Sequence, residues 1–150
     1  MAKGRSDSAS SRSATVRLVD EQGASGKVRQ VFDDIKKTKN IEHVPNFWRA
    51  LASSPAHLEL TWQQLKALMH PEASGRTSKL DAKTREMIAL AVSATNGCSY
   101  CVNSHTTALR KLGIDTETLG EVMAIVALFN GTNALADGYQ MEPDVLPPVD

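Results

Sequence analysis

Glu86 to His105 reads EMIALAVSATNGCSYCVNSH, and the rest of the chain is read outward from it. Asp81 to Thr95 has the apolar pattern of a helix, Asn96-Gly97 breaks it, and a second helix is expected to start at Cys98. On that second helix Cys98, Cys101 and His105 fall at i, i+3 and i+7, so they share one face. Cys98 stands at the expected N-cap, where free backbone N–H groups and the helix dipole favour a thiolate. A thiolate is the nucleophile of thiol chemistry, and a nearby imidazole can take its proton. Glu86 lies in a helix that is apolar nearly all round, so it is expected to be partly desolvated and is a candidate for a proton relay.

A CxxC pair also serves zinc, haem and thioredoxin-like sites. Structural zinc takes about four ligands, and Cys98 and Cys101 are the only cysteines, leaving His105 and the scattered His43, His57 and His70 to complete a set. No metal is therefore expected. The three scattered histidines share no motif, so surface or packing roles are expected for them. Covalent haem calls for a histidine directly after the second cysteine, where Val102 stands. A thioredoxin fold needs strands, and no period-2 segment occurs. Two thiols that merely pack in a core would leave the in-register histidine unexplained.

In this order and spacing Glu86, Cys98, Cys101 and His105 resemble the alkyl hydroperoxidase D-like proteins of the carboxymuconolactone decarboxylase superfamily. The resemblance runs from about Val44-Pro45-Asn46 to Tyr139 and includes the PNFWRALASSP and FNGTNALAD stretches. It implies an all-α fold, a homo-oligomer (trimer or hexamer) and an active site that cycles through a Cys98–Cys101 disulfide, with no other cofactor. The superfamily also holds cysteine-free decarboxylases, and the two cysteines put this chain on the redox branch. Tyr100 stands where the best-studied redox members have a second histidine. The implied activity is a thiol-dependent peroxidase. Cys101 attacks a small-molecule peroxide, Cys98 resolves the sulfenic acid, Glu86 and His105 move the proton, and an external dithiol or thiol protein reduces the bridge. A non-enzymatic redox sensor and a lactone decarboxylase are the rival expectations.

Composition agrees with a single small domain. The 150 residues carry 17 basic and 17 acidic side chains, which gives no net charge to attract nucleic acid or a membrane surface. No apolar run approaches the roughly 20 residues of a bilayer span, and the N-terminus lacks a secretory apolar core. A cytoplasmic protein is the resulting expectation, and there a close cysteine pair is more often catalytic than structural. Residues 1–15 are expected to be a disordered tail, 16–141 one all-α domain, and 142–150 an irregular tail with three prolines.

About six helices are expected in all. Val28, Val31, Phe32 and Ile35 mark the first, and Phe47, Trp48 and Leu51 the packing face of a short second. Ser54-Pro55 opens a third, striped by Leu58, Trp62, Leu65 and Met69. Asp81 caps the Glu86 helix, and Gly113 ends the cysteine helix. Asp115 or Thr116 starts the last, which runs past a possible bend at Asn130-Gly131 toward Tyr139. Together these make a helical bundle.

Overall fold

A computed structural model describes residues 14–148, so most of the expected N-terminal tail lies outside the described residues. Six α-helices follow in order: α1 (Gly26–Lys39), α2 (Asn46–Leu51), α3 (Pro55–Met69), α4 (Ala82–Thr95), α5 (Ser99–Lys111) and α6 (Thr116–Gly138). One 3-10 turn, Pro71–Ser74, follows α3, and no strand occurs among the described residues. The fold is all-α. Two compact units divide after Ser78, the first holding α1 to α3 and the second α4 to α6.

In the first unit, the buried face of α1 is Val31, Phe32 and Ile35. It packs with Trp48 of α2 and with Leu58 and Trp62 of α3 into one core. The two indole rings meet edge to face at 5.2 Å, a favoured arrangement for aromatic quadrupoles. Phe47 departs from the expected packing face: it is 42% exposed and lays its ring against Trp48 instead. Three lysines in the last turn of α1 suit the helix dipole, and Asn40 ends the helix in the left-handed region at φ 50°. Beside this core Asp34 gathers donors from α3. Trp62 Nε1 donates to Oδ2 at 2.6 Å, and Lys66 Nζ donates to both oxygens at 2.8 and 2.9 Å. Burial pushes the Asp34 carboxyl up, but the bonds from Lys66 and Trp62 outweigh it and hold the group below its ordinary 3.8.

The second unit is a three-helix arrangement around Leu90, Leu109, Ile114 and Leu119. Asp81 caps α4 by accepting the Thr84 N–H at 2.7 Å, and Asp115 caps α6 by accepting the Thr118 N–H at 2.8 Å. Those backbone bonds hold both carboxyls below the usual range. Gly113, at φ 80°, supplies the left-handed turn that lets α5 stop and Ile114 fold back into the core. Asn130-Gly131 does not interrupt α6, which runs unbroken for 23 residues. From Ala127 onward every residue of α6 is exposed, including Leu128, Phe129 and Leu135. By length and composition alone α6 is the one described helix able to cross a membrane. Its apolar residues are interrupted by Asn130, Thr132 and Asn133, which kept any long run from showing in the sequence.

Candidate active site

The second unit holds all four residues singled out in the sequence and joins them in two pairs, Cys98 with Cys101 and Glu86 with His105. Helix α4 carries Glu86; α5 begins one residue after Cys98 and carries Cys101 and His105. The link is tight because Asn96 and Gly97 close the end of α4 and reverse the chain, Gly97 taking φ 67°. Antiparallel neighbours joined by so short a turn meet along their length, and Glu86 reaches His105 across them.

Glu86 Oε2 lies 2.7 Å from His105 Nδ1, with side chains only 14% and 24% exposed. At that burial a paired imidazole and carboxylate are held in one geometry and shielded from screening. With Glu86 ionised, the carboxylate can only accept, so Nδ1 carries the shared proton and Nε2 is left as the basic edge of the ring.

Cys98 and Cys101 form a disulfide with Cα atoms 5.3 Å apart, within the normal span of such a bridge. Cys98 is the N-cap of α5, as its position predicts. Its Sγ accepts the Cys101 N–H at 3.3 Å, while its own N–H donates to the Ser93 carbonyl at 2.9 Å. No acidic residue lies in the first turn of α5.

Ser93 was not legible as part of this arrangement. It is 8% exposed on α4, and its hydroxyl donates to the Ala89 carbonyl at 2.6 Å. A polar residue five positions before a cysteine, inside an apolar helix, was the available signal. Thr95 Oγ1 and Asn130 Oδ1, 3.2 Å apart, also tie the end of α4 to the middle of α6. His43, His57 and His70 belong to the first unit, where His70 sets its ring 6.5 Å from that of Trp62.

Residues 61–141 match the carboxymuconolactone decarboxylase family. The crystal structure of the alkylhydroperoxidase AhpD core from Rhodospirillum rubrum superposes with a TM-score of 0.80 at 45% identity, covering 89% of this chain and 96% of that one. The alkyl hydroperoxide reductase AhpD of Streptomyces avermitilis is 42% identical over 52 residues, which are 35% of this chain and 29% of that protein. That of Coxiella burnetii is 40% identical over the same length. The match therefore spans less than a third of these relatives. An uncharacterized protein of Bacillus subtilis, YdfG, is 34% identical over 58 residues, 40% of its length. The family match over more than half of the chain and the near-complete match to the AhpD core agree: this chain belongs to the carboxymuconolactone decarboxylase family, as an AhpD-like member.

Proposed function

We propose that the protein is a thiol-dependent peroxidase that reduces small hydroperoxides through Cys98 and Cys101 and is recharged by an external dithiol or thiol protein. One observation carries the reading: a bridged CxxC at the start of α5 stands on the same helix as a His105 ring already paired with Glu86. In the reduced protein His105 takes the proton of Cys101, four residues before it and thus on the same face. The thiolate attacks the terminal peroxide oxygen and the O–O bond breaks. Cys101 becomes a sulfenic acid, and the leaving alkoxide takes the proton from His105. Cys98 attacks the sulfenic sulfur and forms the bridge, and the displaced hydroxyl leaves as water with the Cys98 thiol's proton or, when that sulfur is already a thiolate, with a proton from solvent. A dithiol then returns two electrons by exchange and leaves as its own disulfide. Glu86 orients the imidazole and stabilises its charged form between these steps.

The reading includes a homo-oligomer, a trimer or a hexamer, acting in the cytoplasm. Ile88 and Val92 on α4 are 49% and 54% exposed, and the apolar second half of α6 is uncovered; a second copy of the chain suits both. A bilayer is a poorer partner, since it would leave Asn130, Thr132 and Asn133 in hydrocarbon.

Peroxide consumption with dithiothreitol as the dithiol tests the function. The expected result is steady turnover of cumene hydroperoxide, one dithiol oxidised per peroxide, abolished by Cys98→Ser or Cys101→Ser. A single burst without turnover would make the cysteines a sensor. Lactone decarboxylation that survives in the double serine variant would assign the chain to the other branch of its family.

A further inference from the structure

The two sulfurs of the bridge are not equivalent. Cys98 Sγ sits at the head of the 13-residue α5 and accepts the Cys101 backbone N–H at 3.3 Å. Cys101 Sγ receives no hydrogen bond among the described residues. In thiol–disulfide exchange the sulfur that leaves most readily is the one whose thiolate is best stabilised. A helix N-terminus with an aimed N–H is such a stabiliser, and its strength grows when the acceptor becomes an anion.

The charged surroundings point the same way. On α5 the first turn holds no acid. On α4 the carboxylate of Glu86 is engaged by His105, and the residues nearer Cys98, Ser93 to Asn96, are uncharged. On α6 the stretch around Asn130, tied to Thr95, has no charged residue from Val122 to Ala136. No acidic residue stands in the first turn of α5, in Ser93 to Asn96, or from Val122 to Ala136.

We infer that Cys98 is the sulfur that leaves as a thiolate when the dithiol opens the bridge, so that the reductant is joined to Cys101. This deepens the peroxidase reading and rests on it. A thiolate of the dithiol attacks Cys101 Sγ, the Cys98–Cys101 bond breaks, and its electron pair stays on Cys98. The second thiol of the dithiol then attacks the reductant's own sulfur and expels Cys101, which takes up the proton that this thiol loses, through His105. The dithiol is oxidised to its disulfide and the protein gains two electrons. Peroxide and reductant thus meet the same sulfur, and Cys98 stays anionic between them.

Two measurements on the full chain test this. The first is iodoacetamide alkylation of Cys98 against pH in Cys101→Ala and Cys101→Pro, which both lack the second thiol but differ in the N–H that points at Cys98. The expected midpoint in Cys101→Ala lies below about 7.5, against roughly 8.5 for a free thiol, and rises by about one unit in Cys101→Pro. Should Cys101→Pro not fold, the Cys101→Ala protein is compared with itself in denaturant, where the midpoint should return to about 8.5. Equal midpoints in whichever pair is used overturn the inference. The second measurement treats the oxidised wild type with mercaptoethanol, quenches it with acid and N-ethylmaleimide, and maps both adducts by tandem mass spectrometry. Maleimide on Cys98 and mercaptoethanol on Cys101 is the expected pattern; the reverse overturns the assignment. Neither readout depends on peroxide turnover, so the peroxidase reading can fail while the Cys98 assignment stands.

Discussion

His105 meets Glu86 through Nδ1, and in the proposed relay it is Nε2 that exchanges protons with a thiol or a peroxide oxygen. If the pair works as a relay, His105→Ala and Glu86→Gln should each slow peroxide consumption by about 10²- to 10⁴-fold, the usual worth of general acid–base help. The double variant should lose less than the product of the two, because the second change removes a group whose partner is already gone. Both losses should shrink as pH approaches the thiol's own value, roughly 8.5 when unperturbed, since the thiolate then forms without a base. Stopped-flow peroxide decay against pH in the four proteins measures this, and superimposable profiles would end the relay. That Glu86 and His105 act together was an expectation of the family resemblance; spacing put them on successive helices, and the direct 2.7 Å contact depends on how those helices pack. The role of Ser93 was not legible. Its burial depends on how α4 and α5 close on each other, which no local pattern encodes.

Helix starts and stops followed chemistry that the residues carry themselves. Asp81, Asp115, Gly113 and the Cys98 cap stand where side-chain acceptors and left-handed glycines predict. Ser54 stands at the head of α3 as expected, yet its side chain makes no capping bond, and Pro55 follows it at the first helical position. The exposed ring of Phe47 and the donors around Asp34 were beyond the sequence, since both depend on the angle at which α2 and α3 meet α1. Asp34 makes a prediction at this scale. Its folded-state value is depressed, so its contribution to stability is fully present above the unfolded value of 3.8. That contribution is lost as pH falls through the folded value. Asp34→Ala should therefore unfold at lower urea than the wild type at pH 6, and the gap should close below about pH 3.8. A gap that stays constant with pH would mean the carboxyl contributes through packing alone.

At the scale of the whole chain the uncovered apolar surface is the strongest signal. The sequence foretold it for α4, whose residues are apolar nearly all round, but not for α6, where small and amide residues hide the apolar face. Leu128 and Phe129 are 60% and 56% exposed, so Leu128→Glu with Phe129→Glu should leave the fold's circular dichroism intact while lowering the mass seen by light scattering. The wild type should scatter as a multiple of 16.2 kDa, and a wild-type mass already at 16.2 kDa would contradict the assembly. The proposed redox cycle is the centre of the reading, and a thiol count follows it most directly. The fully reduced protein is titrated with a chromogenic disulfide before and after one equivalent of cumene hydroperoxide, and again after dithiothreitol and desalting. The account predicts two thiols per chain, then none, then two, with the intermediate sample holding a Cys98–Cys101 bridge by mass spectrometry. Two thiols surviving the peroxide, or a loss that dithiothreitol does not restore, would contradict it.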